Sequence, residues 1–493
     1  MNADNTKKMP FGLPGLIGVH RRLNSHCPRG CCLDVIYRYM RLAGIFLCAL
    51  AAGSLEAASL KKLNVVAVDN HGQPVTDLQA GDFHVSEDGK PKETAYFRFT
   101  GGRHTLPPTV ILIDMLSDRV LSDSVIGKEV GNALKKLETS DDVYLYFLTN
   151  RGEVFPIHGL PEEGDETEPS AVPWTQNVGA MIDGAVKKFF SMRPVDDYDP
   201  GVRFQLTSNT LDRLGGAMQR IPGRKNLVWV THGVPLYYPS LTSRQPVDLT
   251  KPMEMLAEKL AQAQIAVYAV QQSRQGAAQD LVTEGGQSLD IFCSLTGGRK
   301  WQSDNADAAI TQARTDSRAS YEIDYYTDVA PADGKRHKLR VNCARKDVRL
   351  QTEQEYFALG PPAPAADFEK AAFVDAVRSP LDATEIGVRA RVSGTGGPTQ
   401  FDLQIDTQDL MLRREKDHYV GNVFVVFSTD EDKSSAPLPL KIDLSAQQYE
   451  AVARGTIPFV QSINVSPAVK KVRAIVVDTE RRAVGSVTIP IRH

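Results

Sequence analysis

Two short apolar segments constrain the fold of this chain more than any other feature of its sequence. Residues 109–113 read Thr-Val-Ile-Leu-Ile and are followed by Asp114, while residues 227–230 read Leu-Val-Trp-Val and are followed by Thr-His-Gly at 231–233. Continuous apolar runs are typical of strands that are buried on both faces of a parallel sheet. Ligands of open α/β sheets bind beyond the carboxyl ends of such strands, so we expect a site where Asp114 meets residues 231–233.

The region around these strands alternates strand and helix patterns. This alternation is typical of a doubly wound, Rossmann-like α/β sheet, which we assign to residues 107–328. The predicted strands are 109–113, 142–149, 226–231 and 265–271. The predicted helices lie near 122–138, 175–191, 207–220, 251–264, 286–296 and 304–317.

The rest of the chain beyond residue 59 has β patterns. Residues 60–106 alternate as strands do and predict a small β module before the α/β domain, and residues 329–359 predict a β hairpin extension after it. Residues 360–384 begin with a Pro/Ala-rich run and predict a semi-rigid linker. Short strands separated by turn residues in 385–493 predict a β-sandwich of immunoglobulin or fibronectin type III kind.

The amino terminus has the parts of a secretory signal. An apolar run at 42–53 follows Arg38 and Arg41 and precedes small residues at 57–59, so we assign residues 1–59 to a leader and signal segment. This predicts an exported protein of the periplasm, cell envelope or medium. The alternative is an uncleaved anchor, which would be the chain's only membrane contact. Under the signal assignment, a signal that starts at Met40 has suitable proportions, so residues 1–39 are expected to be an over-extended gene start or a long cytoplasmic n-region.

Composition and motifs exclude several function classes. A net charge of −3 gives no basic field for nucleic acid. The sequence has no Gly-rich phosphate loop, no Gly-x-Ser-x-Gly elbow and no His-x-x-x-His spacing. The pairs Gly215-Gly216 and Gly285-Gly286 are interpreted as isolated turn or helix-packing glycines. We therefore expect no enzyme and no small-molecule cofactor.

Several segments together resemble a known family. They are Val-Thr-Asp-Leu at 75–78, Asp-Phe at 82–83, Glu-Asp-Gly-Lys at 87–90, Ile-Pro-Gly-Arg-Lys-Asn-Leu-Val-Trp-Val at 221–230, Thr-Gly-Gly-Arg at 296–299 and the tyrosines 321, 325 and 326. On these segments the chain resembles the exported von Willebrand factor type A-related proteins of acidobacteria. The resemblance implies a von Willebrand A-like α/β sheet and a role in binding a protein partner, often through a metal.

The resemblance also points to a metal site that this chain has altered. The family motif Asp-x-Ser-x-Ser becomes Asp114, Leu116 and Asp118 here, and the aspartate of the later Thr-Asp-Gly becomes His232. The family's third-loop threonine would correspond to Thr210, or to its neighbours at 207–208. Such a set of oxygen and imidazole ligands would suit manganese or zinc better than magnesium. The alternative is that Leu116 fills the coordination space and the site is vestigial, with no cofactor.

Two further pairs of residues are candidates for function. Tyr237 and Tyr238 follow the strand at 226–231 and are candidate partner-binding residues, because aromatic residues are enriched in interface hot spots; the alternative is that they pack over the sheet end. Cys293 and Cys343 are the only cysteines beyond the leader. In an oxidising compartment they are predicted to form a disulfide, the alternative being two buried thiols.

These observations together predict an exported protein-interaction or adhesion scaffold with an unknown protein partner. A cell-envelope enzyme that uses a metal at Asp114, Asp118 and His232 is the first alternative. A purely structural module, whose sheet end binds nothing, is the second.

Overall fold

The computed structural model describes residues 59–493 with short gaps, and the predicted leader therefore lies outside the described residues except for Ser59. The gaps are 102–106, 117–124, 138–141, 150, 162–172, 191–199, 222, 240–243, 272–278, 303–305, 331–332, 359–363, 380, 394–397, 432 and 492–493. None of the described helices is long and apolar enough to cross a membrane.

Four strands begin the part of the chain that the structure describes. They are β1 (Ser59–Asp69), β2 (Phe83–Glu87), β3 (Lys90–Lys92) and β4 (Thr94–Phe99). Asp88 and Gly89, both at positive φ, form the tight turn between β2 and β3, as the Asp-Gly pair in the sequence indicates.

An α/β domain follows. Its strands are β5 (Thr109–Asp114), β6 (Val143–Leu148), β7 (Val154–His158), β8 (Lys225–Thr231), the two-residue β9 (Tyr237–Tyr238) and β10 (Val247–Asp248), β11 (Ile265–Gln271) and β12 (Arg299–Gln302). Its helices are α1 (Val125–Lys135), α2 (Val178–Phe190), α3 (Pro200–Gln219), α4 (Thr250–Gln262), α5 (Gln279–Thr296) and α6 (Ala306–Arg318). The main sheet has six strands in the order β12-β11-β8-β5-β6-β7. Neighbours are parallel except for the antiparallel pair β6 and β7.

The alternation of side chains along each strand explains why helices cover both faces of this sheet. Val110 and Leu112 on β5 face a core shared with α3, α4 and α5, whereas Ile111 and Ile113 face a core shared with α1, α2 and α6. Because successive residues of a strand point to opposite faces, an unbroken apolar run requires an apolar partner on each side. The structure thereby confirms a mixed α/β fold with β-rich parts on both sides in sequence.

The chain then returns to the first four strands. It forms β13 (Ser320–Thr327), β14 (Arg336–Cys343), β15 (Val348–Gln351) and β16 (Glu355–Phe357). These combine with β1–β4 into two four-stranded sheets, β15-β1-β13-β4 and β16-β14-β2-β3. The α/β domain is therefore inserted into one β domain, whose core includes Leu63, Phe83, Tyr321 and Leu339.

This β domain differs from the predicted boundaries. The module at 60–106 and the extension at 329–359 are parts of one domain, and β13, predicted within the α/β domain, is a central strand of it. The physical reason is that a few short strands cannot bury an apolar face by themselves. β1 gains its partner from β13 in a continuous antiparallel register, Ser59 opposite Thr327 through Val66 opposite Ser320.

The predicted linker at 360–384 also differs, because it contains helix α7 (Ala365–Arg378). Phe368, Ala372, Phe373 and Ala376 lie on one face of this helix and pack against Ile475, Val477 and Val484 of the carboxy-terminal part. The prediction rested on the Pro/Ala-rich first residues, whereas the residues that follow have apolar side chains at helical spacing.

The carboxy-terminal part is a β-sandwich, as predicted. Its strands are β17 (Val388–Ser393), β18 (Thr399–Asp406), β19 (Arg413–Glu415), β20 (His418–Thr429), β21 (Leu438–Ser445), β22 (Thr456–Ile463), β23 (Lys471–Asp478) and β24 (Ala483–Pro490), with helix α8 (Ala446–Val452) after β21. The sheet β17-β18-β22 packs on the sheet β19-β20-β23-β24, to which β21 adds by pairing with β20. Phe401, Phe427 and Val476 belong to the core between them.

The predicted disulfide is not formed, and both cysteines are free. Cys293 on α5 lies in the α/β core, where its thiol donates to the carbonyl of Val267 at 3.4 Å and burial raises its pKa to about 12. Cys343 ends β14 and packs on the core of the β domain. The two thiols belong to different cores. The alternative of two buried thiols is correct for Cys293, whereas Cys343 is only half-buried.

A histidine in the β domain predicts a pH dependence of stability. His337 lies between Asp88 and Asp333, with ring nitrogens 2.7 and 3.0 Å from their carboxylates. Burial by itself lowers the pKa of His337, but the bonds to Asp88 and Asp333 outweigh it and raise that pKa above its ordinary value. The stabilisation is therefore fully present below the unfolded pKa of about 6.5 and is lost as the pH rises through the folded-state pKa.

We expect His337→Gln to lower the melting temperature clearly at about pH 5 and much less at about pH 9. The exposed His71 is the matched control, since His71→Gln should leave the melting temperature unchanged at both pH values. Differential scanning calorimetry at the two pH values measures both variants. An equal loss for His337→Gln at both pH values would contradict the assignment.

Candidate functional site

The carboxyl edge of the central sheet, where β5 and β8 end, brings Asp114 and Thr231 together. The two strands are parallel neighbours, with Ile113 opposite Val230. The Thr231 hydroxyl donates to Asp114 Oδ2 at 2.7 Å, and the backbone N–H of Leu116 donates to Asp114 Oδ1 at 3.0 Å. Both carboxylate oxygens of Asp114 are thus bound by donors of the protein itself.

Burial dominates the electrostatics of this carboxylate. Asp114 is only 3% exposed, and burial raises its pKa above the ordinary value. The hydrogen bonds from Thr231 and Leu116, together with the charge of Arg203, oppose this rise. Arg203 on α3 also donates to the carbonyl of Gly233 at 3.3 Å. The loop that follows β8 therefore holds this guanidinium close to Asp114.

The residues predicted to bind a metal are only partly brought together. Leu116 is buried in the α/β core, Thr210 is buried on α3, and His232 is half-buried directly after Thr231. Asp118 lies outside the described residues. Within the described ranges no group of three or more His, Cys, Asp or Glu side chains could hold a metal ion. The described part of the edge does not fit a divalent ion, and the metal set with Asp118 stays a prediction.

A close backbone contact holds the end of β8 in place. Gly233 has a φ of +76°, and a Cβ on it would lie 2.1 Å from the carbonyl oxygen of Gly285. A Cβ on Gly285 would in turn lie 2.3 Å from the carbonyl oxygen of His232. Ser288 on α5 donates to Gly285 O at 2.8 Å and accepts from the backbone N–H of Val234 at 3.1 Å. Gly285, interpreted from sequence as a packing glycine, is where α5 contacts the site.

The two predicted partner-binding tyrosines lie just beyond this contact. They form β9, which pairs with β10 as a short two-stranded ribbon. Tyr238 packs against the α/β core, whereas Tyr237 is 45% exposed. The structure therefore divides the pair, with Tyr238 anchoring the ribbon and Tyr237 directed to solvent.

A second set of polar residues, which sequence reasoning missed, lies between the β domain and the β-sandwich. We call it the charge cluster, and its members are Lys62, Arg98, Glu322, Asp324, Glu385, Asp409 and Arg481. Arg98 on β4 binds Glu322 at 2.9 Å and Asp409 at 2.7 Å. Arg481 also binds Glu322, and it lies over the ring of Tyr96 at 4.0 Å.

Asp324 is the exception in the charge cluster. It is fully buried and accepts no hydrogen bond from any described residue, and Arg481 Nε lies 3.8 Å from its Oδ2. Burial and the neighbouring charge of Glu322 raise the pKa of Asp324 to about 8. Asp324 therefore keeps its proton to a higher pH than an ordinary aspartate does.

The charge cluster left no signal in the sequence. Glu322 and Asp324 alternate with Tyr321, Ile323 and Tyr325 along β13, a pattern that is typical of a strand with one solvated face. The β-sandwich covers that face instead.

Comparisons with known proteins identify no family. No family model matches the sequence, and no curated protein matches it. The crystal structure of the pilus adhesin SpaC from Lactobacillus rhamnosus GG in its open conformation is 8% identical, with a TM-score of 0.27 over 83% of this chain and 60% of that chain. A second crystal structure of the same adhesin is 10% identical, with a TM-score of 0.27 over 83% of this chain and 57% of that chain.

A third solved structure covers less of the chain. The hypothetical protein PH1083 from Pyrococcus horikoshii OT3 is 7% identical, with a TM-score of 0.14 over 22% of this chain and 91% of that chain. This chain spans less than two thirds of the adhesin's length. Likenesses at these scores support no inference about fold or function.

Proposed function

We propose that this chain is an exported protein-interaction or adhesion scaffold. Its von Willebrand factor type A-like domain presents the carboxyl edge of the central sheet to a protein partner. The chain acts without enzymatic chemistry and without a small-molecule cofactor, and its metal site is degenerate.

The topology of the central sheet supports the domain assignment. Numbered within the domain, its strands follow the order 3-2-1-4-5-6, and only the third is antiparallel. In doubly wound sheets with this order, ligands bind where the order reverses, between the first and fourth strands. Here those strands are β5 and β8, which end in Asp114 and Thr231.

One observation carries the choice of a protein partner over a metal-dependent reaction. At the edge where ligands of such sheets bind, the Asp114 carboxylate is closed by its two hydrogen bonds, while the Tyr237 ring is 45% exposed on a short ribbon anchored by Tyr238. An exposed tyrosine supplies a large, stiff contact surface and a hydroxyl, which is typical of interface hot spots.

The proposed location follows from the leader sequence. The signal-like segment at 42–53 supports export to the periplasm, cell envelope or medium. The free thiol of Cys293 does not conflict with export, because a buried thiol is protected from oxidation.

The test compares two exposed tyrosines in the full-length protein. We expect Tyr237→Ser to reduce the capture of partner proteins from a cell-envelope fraction of the source organism at least about tenfold, the effect of a hot-spot residue. Tyr326 on β13 is 42% exposed on a different sheet, so Tyr326→Ser is the matched control and should capture normally. Capture is measured by quantitative mass spectrometry, with EDTA or with added manganese in parallel.

The samples with EDTA and with manganese distinguish the proposed scaffold from the metal-dependent alternative. Capture that is the same with EDTA and with manganese is expected for a degenerate site. Proteins captured equally by the wild type and both variants would show that the carboxyl edge is not the interface. Loss of capture in EDTA would instead support a functional metal site that includes Asp118.

A further inference from the structure

A half-open cleft lies at the end of the central sheet opposite to Asp114. Its volume is ≈ 690 Å³, and it is lined by Arg224, which precedes β8, and by Ile265 at the start of β11. The other walls come from β1 of the β domain, from β16 and from Phe368 of α7. The cleft therefore lies where three parts of the fold meet.

The size and lining of the cleft suit a small molecule. Binding pockets for such ligands typically have volumes of about 300–1,000 Å³ and combine apolar walls with a few polar groups. Leu60, Tyr356, Phe357 and Phe368 supply the apolar and aromatic part of the lining. A ligand with a ring or a short aliphatic body would cover this surface.

Cations outnumber acids in the cleft lining. The four cations are Lys61, Lys62, Arg224 and Arg482, and the two acids are Glu258 and Glu353. Lys61 pairs with Glu353 at 3.0 Å, and Lys62 pairs with Glu385 at 2.9 Å.

Arg224 has donors in its guanidinium that no described group accepts. Its Nη2 donates to the Tyr268 hydroxyl at 3.1 Å, while its Nε is buried and has no hydrogen-bond partner among the described residues. Only one hydrogen bond of this guanidinium is made within the described residues, so it has donors left for an anionic oxygen, the acceptor that a guanidinium prefers.

The two acids of the cleft already have partners in the protein. Burial raises the pKa of Glu258 and of Glu353, and the charge of Lys61 opposes this rise in both. Glu353 forms its ion pair with Lys61. Glu258 also accepts from the backbone N–H of Phe357 at 3.1 Å, so one of its oxygens already has a donor.

We propose that this cleft binds a small organic anion in which one acidic group is joined to an apolar or aromatic body. Arg224 binds the acidic group, and the wall of Tyr356, Phe357 and Phe368 covers the body. This site is separate from the proposed partner edge, so either can fail without the other.

Isothermal titration calorimetry of the purified full-length protein tests the proposal, with phenylacetate as the anion and phenethylamine as the matched cation. We expect saturable one-to-one binding of phenylacetate and none of phenethylamine. Arg224→Gln should weaken phenylacetate binding at least tenfold, and Phe368→Ala should weaken it as well. The exposed Arg213 on α3 does not line the cleft, and Arg213→Gln should bind as the wild type does.

Three results would overturn the proposal. They are saturable binding of phenethylamine, phenylacetate binding that is equal in wild type and Arg224→Gln, and no heat from phenylacetate, phenylpropionate or phenyl phosphate. The melting temperature of each variant is measured first. If Arg224→Gln does not fold, Phe368→Ala and competition between phenylacetate and phenyl phosphate on the wild type decide the question.

Discussion

Arg481→Met is expected to destabilise the folded chain by about 3–5 kcal/mol, because it removes one partner from a buried ion network. Arg481 is fully buried, binds Glu322, donates to the carbonyl of Asp409 at 3.0 Å and lies near Asp324. Without it, only Arg98 and Lys62 remain to balance the carboxylates on that face of β13. Urea denaturation followed by tryptophan fluorescence and far-UV circular dichroism measures the loss.

Arg389→Met is the matched control. Arg389 forms an ion pair with Asp406 at 2.9 Å, but the pair lies on the surface, with the arginine side chain 73% exposed. Exposed pairs contribute about 0–1 kcal/mol, so the control should change the midpoint little. If the two variants lost the same stability, the charge cluster would not hold the β domain and the β-sandwich together.

Gly233→Ala is expected to have the second large effect, at the carboxyl edge itself. A residue with a Cβ loses about 1–2 kcal/mol in the left-handed region that Gly233 occupies. The added Cβ would also lie 2.1 Å from Gly285 O, so the end of β8 must move away from α5. We expect a total loss above about 2 kcal/mol and weaker partner capture, since β9 follows this turn.

Gly216→Ala on α3 separates this effect from the general effect of replacing a glycine. Nothing lies within 4 Å of a Cβ at Gly216, which is exposed in a helix. Alanine there should stabilise the protein by about 0.5–1 kcal/mol. A thermal melt of Gly233→Ala that matched the wild type would show that the contact between β8 and α5 relaxes at little cost.

Local patterns in the sequence determined the elements of the α/β domain and of the β-sandwich. The apolar runs at 109–113, 226–231 and 265–271 became β5, β8 and β11, because a run that is apolar on both faces is stable only inside a covered sheet. The Asp-Gly turn before β3 and the alternating strands after residue 385 were predicted for equally local reasons. Asp114 and Thr231 could be placed together, since parallel strands end at one edge.

Only the tertiary structure decided which of these elements share a core. The pairing of β1 with β13 joins residues that are far apart in sequence, and no local sequence pattern identifies such a partner. A second such pairing, of β14 with β2, places Cys343 in the β domain, whereas Cys293 lies in the α/β core, so the thiols are not bridged. Glu322 and Asp324 follow the pattern of a solvated strand face, yet the β-sandwich buries them against Arg98 and Arg481. Alternation along a strand determines which side chains share a face, but what covers that face depends on the packing of domains.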